Sequence, residues 1–411
     1  MRILWVKSGG LVPLDHGGRI RSFHLASILA QTHDVSLFTF YPPTPDDTHA
    51  ELRRIFSDVV CVPLRLPVQN SVAEYLTYGK NLFSMRPYSA TKYCQPHVAE
   101  ELRKHLQEKS YDIIICDFLL TAAVIPWDLP GPRVLFTHNV EAQIWERHFQ
   151  IARNPVWKAA CYREFRMIAR MERFYLQQSE HVLAVSDADR ESFSSFLHPS
   201  RISVIPTGVD VDYFQPAPEM EEQNTLVFTG SMDWLPNEDG ISYFVEKILP
   251  LVRQQVPDAV LWVVGRRPSA QLEKISERDP NVKVTGRVDD IRPYMAKASV
   301  YVVPLLVGGG TRLKIFEAMA MGKAIVSTTI GAEGLPIESG KNIVLADEAE
   351  AFAAQIINLL RNSARRYDLG CAARQLVEER YSWNSVGQEL IRILNQVACS
   401  TAKQHSQTIQ G

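Results

Sequence analysis

The sequence predicts an α/β protein of two Rossmann-like domains facing across a cleft. Short runs rich in Val, Ile and Leu alternate with helical stretches from end to end. Near-continuous apolar strands of this kind belong to parallel sheets covered on both faces. Thirteen such runs are too many for one comfortable sheet. A proline-rich, acidic stretch at 215–224 then interrupts the alternation before a fresh strand begins.

Taken in order, strands are expected at 3–6, 35–40, 59–62, 113–116, 134–136, 181–185 and 203–205, with helices at 20–29, 91–106 and 167–178. In the second half, strands fit 225–228, 259–264, 282–284, 299–303, 324–327 and 343–345, and helices 240–255 and 349–361. The domains expected are 1–212 and 213–383, with a C-terminal helix at about 384–400 packing back on the first. Open parallel sheets place ligands beyond the carboxyl ends of their strands, so residues after each strand are the ones to search.

Composition narrows the function. A chain of 411 residues, 46% hydrophobic, has material for two cores, and a net charge of −2 argues against a nucleic-acid partner. Six cysteines are scattered without CxxC spacing, and several sit in apolar runs, which reads as buried thiols of a reducing, cytoplasmic setting. The apolar start at 1–7 is too short for a signal peptide, and the run at 118–127 is far short of a membrane span.

The most informative segment follows the strand at 299–303. Pro304 ends that strand, Gly308-Gly309-Gly310 follow, and a helix runs from Thr311 to Met321. That geometry offers free amides and a positive helix end to a phosphate. Gly310, Lys314 and Glu317 share one stripe, while Leu313, Phe316 and Ala320 share another that suits a core. Amides and Lys314 would meet a diphosphate, and Glu317 the hydroxyls of a ribose. An ordinary βα unit with a solvated Lys/Glu pair is the alternative. Gly17-Gly18 at a helix start, with Arg21 one turn on, forms a second candidate anion loop. His138, Gly230-Ser231, Arg266 and Gly286-Arg287-Val288 each follow a strand end. No metal-ligand spacing, Walker A or GxSxG pattern is present.

Together, Gly17-Gly18, His138, Phe228-Thr229-Gly230-Ser231, Gly286-Arg287-Val288 and the run 317–327 carry a resemblance. The chain resembles the retaining family 4 glycosyltransferases, which have the GT-B fold. It is most similar to the bacterial branch that assists in exopolysaccharide and other cell-surface glycan synthesis. The resemblance implies a metal-independent transferase without a cofactor, taking a UDP- or GDP-sugar donor to a glycan, lipid-linked or small-molecule acceptor. By matching position, Gly18 approaches the donor diphosphate, His138 the donor sugar and leaving group, and Arg287-Val288 the base. Gly310-Thr311 cradle phosphate and Glu317 holds the ribose. Lys314 and Arg266 would then neutralise the diphosphate. Retention in this family is described as front-face attack, the leaving phosphate helping to take the acceptor proton.

Two departures stand out. The family's first glutamate, eight positions before Glu317, is Gly309 here, and the customary basic pair after Gly230 is replaced by Ser231 to Asn237. A nucleotide-sugar 2-epimerase and a non-catalytic nucleotide-sugar-binding protein therefore stay open. A basic, aromatic stretch at 144–178, including Arg163, Arg166 and Arg170, is either a helix with solvated arginines or a surface docking an anionic membrane.

Overall fold

The computed structural model describes residues 1–14, 17–42, 46–67, 71–82, 84, 86–307 and 313–409. It separates into two compact units, Met1–Pro206 with Gly387–Gly411, and Thr207–Val386. The 215–224 stretch lies inside the second unit. There Glu221 pairs with Arg366 at 2.7 Å, and the Phe214 carbonyl accepts from Arg374 at 2.7 Å.

The first unit holds seven strands: β1 (Arg2–Ser8), β2 (Asp34–Tyr41), β3 (Asp58–Pro63), β4 (Ile113–Asp117), β5 (Arg133–Phe136), β6 (His181–Ala184) and β7 (Ile202–Val204). All are parallel, in the order β3-β2-β1-β4-β5-β6-β7. Ile3 to Val6 are fully buried, because helices cover both faces of a central parallel strand. The second unit holds β8 (Thr225–Thr229), β9 (Val260–Val264), β10 (Val282–Val284), β11 (Val300–Val303), β12 (Ile325–Ser327) and β13 (Val344–Leu345). These too are parallel, in the order β10-β9-β8-β11-β12-β13. The two-sheet α/β architecture expected from the sequence is present.

Helices differ where proline intervenes. The stretch 91–106 is two helices, Tyr88–Tyr93 and Pro96–Glu108, since Pro96 suits a first turn but cannot continue a preceding helix. The stretch 240–255 becomes Leu235–Tyr243, a π-turn Phe244–Ile248 and Leu249–Gln255. Pro250 lacks the N–H that the Glu246 carbonyl would receive, and the widened turn absorbs the loss. The helix from Trp383 runs into the first unit, where a Cβ on Gly387 would sit 2.6 Å from Ile28. Only glycine permits that approach.

The six cysteines are free: Cys116 and Cys161 are buried, Cys61 and Cys94 half-buried, and Cys371 and Cys399 exposed. Among the described residues no helix is long and apolar enough to cross a membrane. The basic stretch forms the helices Glu141–Ile151 and Pro155–Gln178. Arg163 is not solvated there. Its guanidinium donates to the carbonyls of Asn81 at 2.6 Å and Ser84 at 2.8 Å and pairs with Glu164 at 2.6 Å.

Candidate functional site

Strand order reverses between β1 and β4 in the first unit, and between β8 and β11 in the second. Helices on either side of such a reversal diverge and leave a crevice at the carboxyl ends of the strands. Each unit places a cluster of polar side chains at that point.

In the first unit Asp117 ends β4 and is fully buried. Its Oδ2 accepts from Trp5 Nε1 at 2.8 Å and lies 3.3 Å from Lys7 Nζ, and its Oδ1 meets His138 Nε2 at 2.7 Å. Burial raises the cost of its charge, but Lys7 and then His138 outweigh that and hold the carboxyl below the ordinary range. His138 is 6% exposed and packs between the rings of Phe118 and Phe136. Burial brings its imidazole down to about 4, against the pull of Asp117. A neutral imidazole facing a carboxylate, which only accepts, carries its proton on Nε2. Nδ1 is therefore left as an acceptor.

Arg21 departs from expectation. It is fully buried, donating to the carbonyls of Thr137 at 2.6 Å and Ile205 at 2.5 Å, with its guanidinium 4.0 Å over the ring of Phe136. It ties the ends of β5 and β7 together and has no surface left for a substrate. Burial lowers its guanidinium to about 9. Gly17 and Gly18 open the helix Gly17–Ala30, and the Gly18 carbonyl accepts from Ser22.

In the second unit Gly230 follows β8. A Cβ there would lie 2.8 Å from both Lys314 Nζ and Asn237 Nδ2, so a side chain would push these two polar ends away from the backbone. Lys314 donates to Asn237 Oδ1 at 2.6 Å and stands 4.2 Å over the ring of Phe228. Asn237 in turn donates to the Ser231 carbonyl at 2.8 Å. The Ser231 hydroxyl donates to Asp233 and accepts from Arg266 Nε at 2.7 Å. Glu317, one turn beyond Lys314, is half-buried. Burial pushes its carboxyl up to about 7, with Lys314 pulling the other way.

The structure thus gathers Gly230, Ser231, Arg266 and Lys314 into one network, with Glu317 in electrostatic reach of Lys314. Arg287 is exposed and Val288 packs on the core, both after the edge strand β10, two strands from β8. Gly309, Gly310 and Thr311 lie outside the described residues. Among those described, no group of three or more His, Cys, Asp or Glu could hold a metal ion. Sequence reasoning missed Asp117, Lys7 and Asn237. Asp117 gave a signal all the same: a lone carboxylate ending a wholly apolar strand.

The comparisons with known proteins match this picture. A glycosyltransferase family 4 profile matches residues 17–213, and a "Glycosyl transferases group 1" profile matches 223–362. An uncharacterised protein from the cps region of Klebsiella pneumoniae is 25% identical over 94% of this chain and 97% of its own length. A phosphatidyl-myo-inositol mannosyltransferase of Mycobacterium tuberculosis is 31% identical over 54% of this chain, a match spanning 61% of that enzyme. Among solved structures, Anabaena HepE in complex with UDP superposes with a TM-score of 0.67 at 15% identity, covering 96% of this chain and all of that one. The chain belongs to the family 4 glycosyltransferases and has their GT-B fold.

Proposed function

We propose that the protein is a retaining, metal-independent glycosyltransferase acting in cell-surface polysaccharide synthesis at the cytoplasmic side. It takes its sugar from a UDP- or GDP-sugar and passes it to a glycan, lipid-linked or small-molecule acceptor. The observation that carries this reading is Lys314, held by Asn237 against the bare backbone of Gly230 at the switch point of the second sheet. A diphosphate approaching Gly230 meets that ammonium and, beyond Ser231, the guanidinium of Arg266. Charge growing on a leaving diphosphate is stabilised best by donors already fixed in place, and these are. Glu317 accepts from the ribose hydroxyls, and the main chain at Arg287 and Val288 reads the base.

In the first unit, His138 offers neutral Nδ1 to a sugar hydroxyl, its orientation fixed by Asp117. No carboxylate nucleophile is needed if the leaving phosphate takes the acceptor proton. The HepE structure, which holds UDP, and the relative encoded in a cps region support the donor class and the polysaccharide role. Exposed Val72, Leu76 and Leu82, with Ile151, Val156 and Trp157, support a peripheral membrane contact.

Incubating the purified protein with UDP- and GDP-sugars, with and without lipid-linked oligosaccharide, tests the proposal. Acceptor-dependent release of nucleoside diphosphate is expected. An epimerised donor, or tight binding without turnover, would overturn it.

A further inference from the structure

The helix Pro155–Gln178 carries arginines that fare differently. Arg163 is consumed by three carbonyls and Glu164, and Arg173 lies 5.3 Å over the ring of Phe196. Arg170 has no hydrogen-bond or ion-pair partner among the described residues, and neither does the side chain of Arg86. Both line the same pocket of the first unit, of about 190 Å³. Its other walls are largely apolar, with Met167, Met171, Tyr175 and Phe174, the last 51% exposed, from the helix, together with Ala123 and Cys94. Two unpaired guanidiniums over a thioether-lined hollow are complementary to one kind of ligand: an anion, best a phosphate, with an alkyl chain attached.

The pocket's place says which source of alkyl phosphate it suits. Ala123 closes the 3-10 turn Leu119–Ala123, which begins two residues after Asp117. Thr121 in that turn donates to the Asp117 carbonyl at 2.6 Å and accepts from the Ser8 amide at 3.1 Å. One wall of the pocket is therefore built on the loop at the switch point of the first sheet. A bulk lipid headgroup needs only a charged surface, not a hollow beside the chemistry. At roughly 30 Å³ per water, the hollow equals about six waters, room for a phosphate and its first few methylenes.

We propose that this pocket seats the phosphate–lipid junction of a lipid-linked acceptor. Arg86 and Arg170 hold the phosphate, Met167 and Met171 hold the first carbons, and the chain leaves over Phe174. The word acceptor rests on the transfer reading above; the binding itself does not.

Calorimetry with octyl phosphate, kept below its micelle concentration, tests the site. Octyl phosphate should bind the full chain, and the double variant Arg86→Gln/Arg170→Gln should weaken it by roughly tenfold or more, as for loss of charge-assisted bonds. Arg86→Lys/Arg170→Lys should keep most of the affinity, and octanol or inorganic phosphate alone should bind worse than octyl phosphate. Equal octyl phosphate affinity in wild type and the glutamine variant, or no binding to wild type, overturns the proposal. So does a variant that loses binding to acidic phospholipid vesicles while keeping octyl phosphate, which would assign the arginines to bulk headgroups. Titration with UDP and GDP runs alongside. A chain that binds nucleotide and ignores octyl phosphate loses this pocket and keeps the transfer reading, and the reverse result sinks only the latter.

Discussion

Asp117 and Glu317 are both acids set at the reversal points of parallel sheets, yet the fold treats them oppositely. Around Asp117 the chain supplies Trp5, Lys7 and His138, and the carboxyl is held ionised. Around Glu317 it supplies Lys314, itself engaged by Asn237, and the carboxyl rises to about 7. Among the described residues Glu317 has no hydrogen-bond partner. One acid is satisfied by folding; the other is left with acceptor capacity that the proposed donor would use. A saturated cluster reads as scaffold for what sits beside it, here His138. An unsaturated one reads as the binding surface itself.

The largest effect should come from breaking the saturated cluster. Asp117→Asn keeps the shape and leaves Lys7, 5% exposed, buried without its counter-charge. Removing one partner of a buried pair costs on the order of 3–5 kcal/mol. Denaturant unfolding, followed by a probe in the first unit so that the two units are not averaged, should show a loss of that size. A loss under about 1 kcal/mol would mean that Lys7 finds another partner, and the contrast with Glu317 would weaken.

Lys314→Ala should do the reverse, leaving the fold and damaging the site. Nucleoside diphosphate affinity should fall by about 1.5–3 kcal/mol, the range for a hydrogen bond to a charged group. The unfolding midpoint should hardly move. If Lys314→Ala unfolds the second unit as Asp117→Asn unfolds the first, then Lys314 is scaffold like Lys7 and the distinction fails.

Glu317→Gln should separate stability from binding. An acid whose folded pKa is raised contributes stability that is present below its unfolded value, near 4.3, and lost as pH rises through about 7. At pH 8 the unliganded glutamine variant should therefore be the more stable one, by on the order of 1 kcal/mol once partial exposure is discounted. Its donor affinity should be lower, and flat with pH. Wild-type affinity should instead decline as pH falls below about 7, because the ribose needs the ionised acceptor. A glutamine variant that binds nucleotide as well as wild type removes Glu317 from the site.

The sheets were legible because a parallel strand buried on both faces must be apolar at nearly every position, as Ile113 to Cys116 are. The strand and helix that carry Lys314 were legible too, since Val300–Val303 and Leu313–Ala320 follow one another closely in the chain. Arg21 misled because a cation near a glycine loop suggests an anion, while its true acceptors lie 116 and 184 residues further on. Asp117 could be picked out as a lone carboxylate ending an apolar strand, but its partners could not: Trp5 is 112 residues away. Local order can be read along a sequence. Which polar groups will find each other across a sheet cannot, because the topology decides it.

The smallest expected effect is that of a chelator. In the first unit the fixed negative charge of Asp117 is met by Lys7. In the second unit the proposed donor would bring the negative charge, and Lys314 with Arg266 would meet it in the same way. If protein cations suffice, excess EDTA should change the initial rate of transfer by less than about twofold, well under 1 kcal/mol of barrier. Added magnesium or manganese should not restore a Lys314→Ala variant. Strict dependence on a divalent ion would show that the ammonium and guanidinium are not enough for the diphosphate, and that the metal takes the part here given to Lys314.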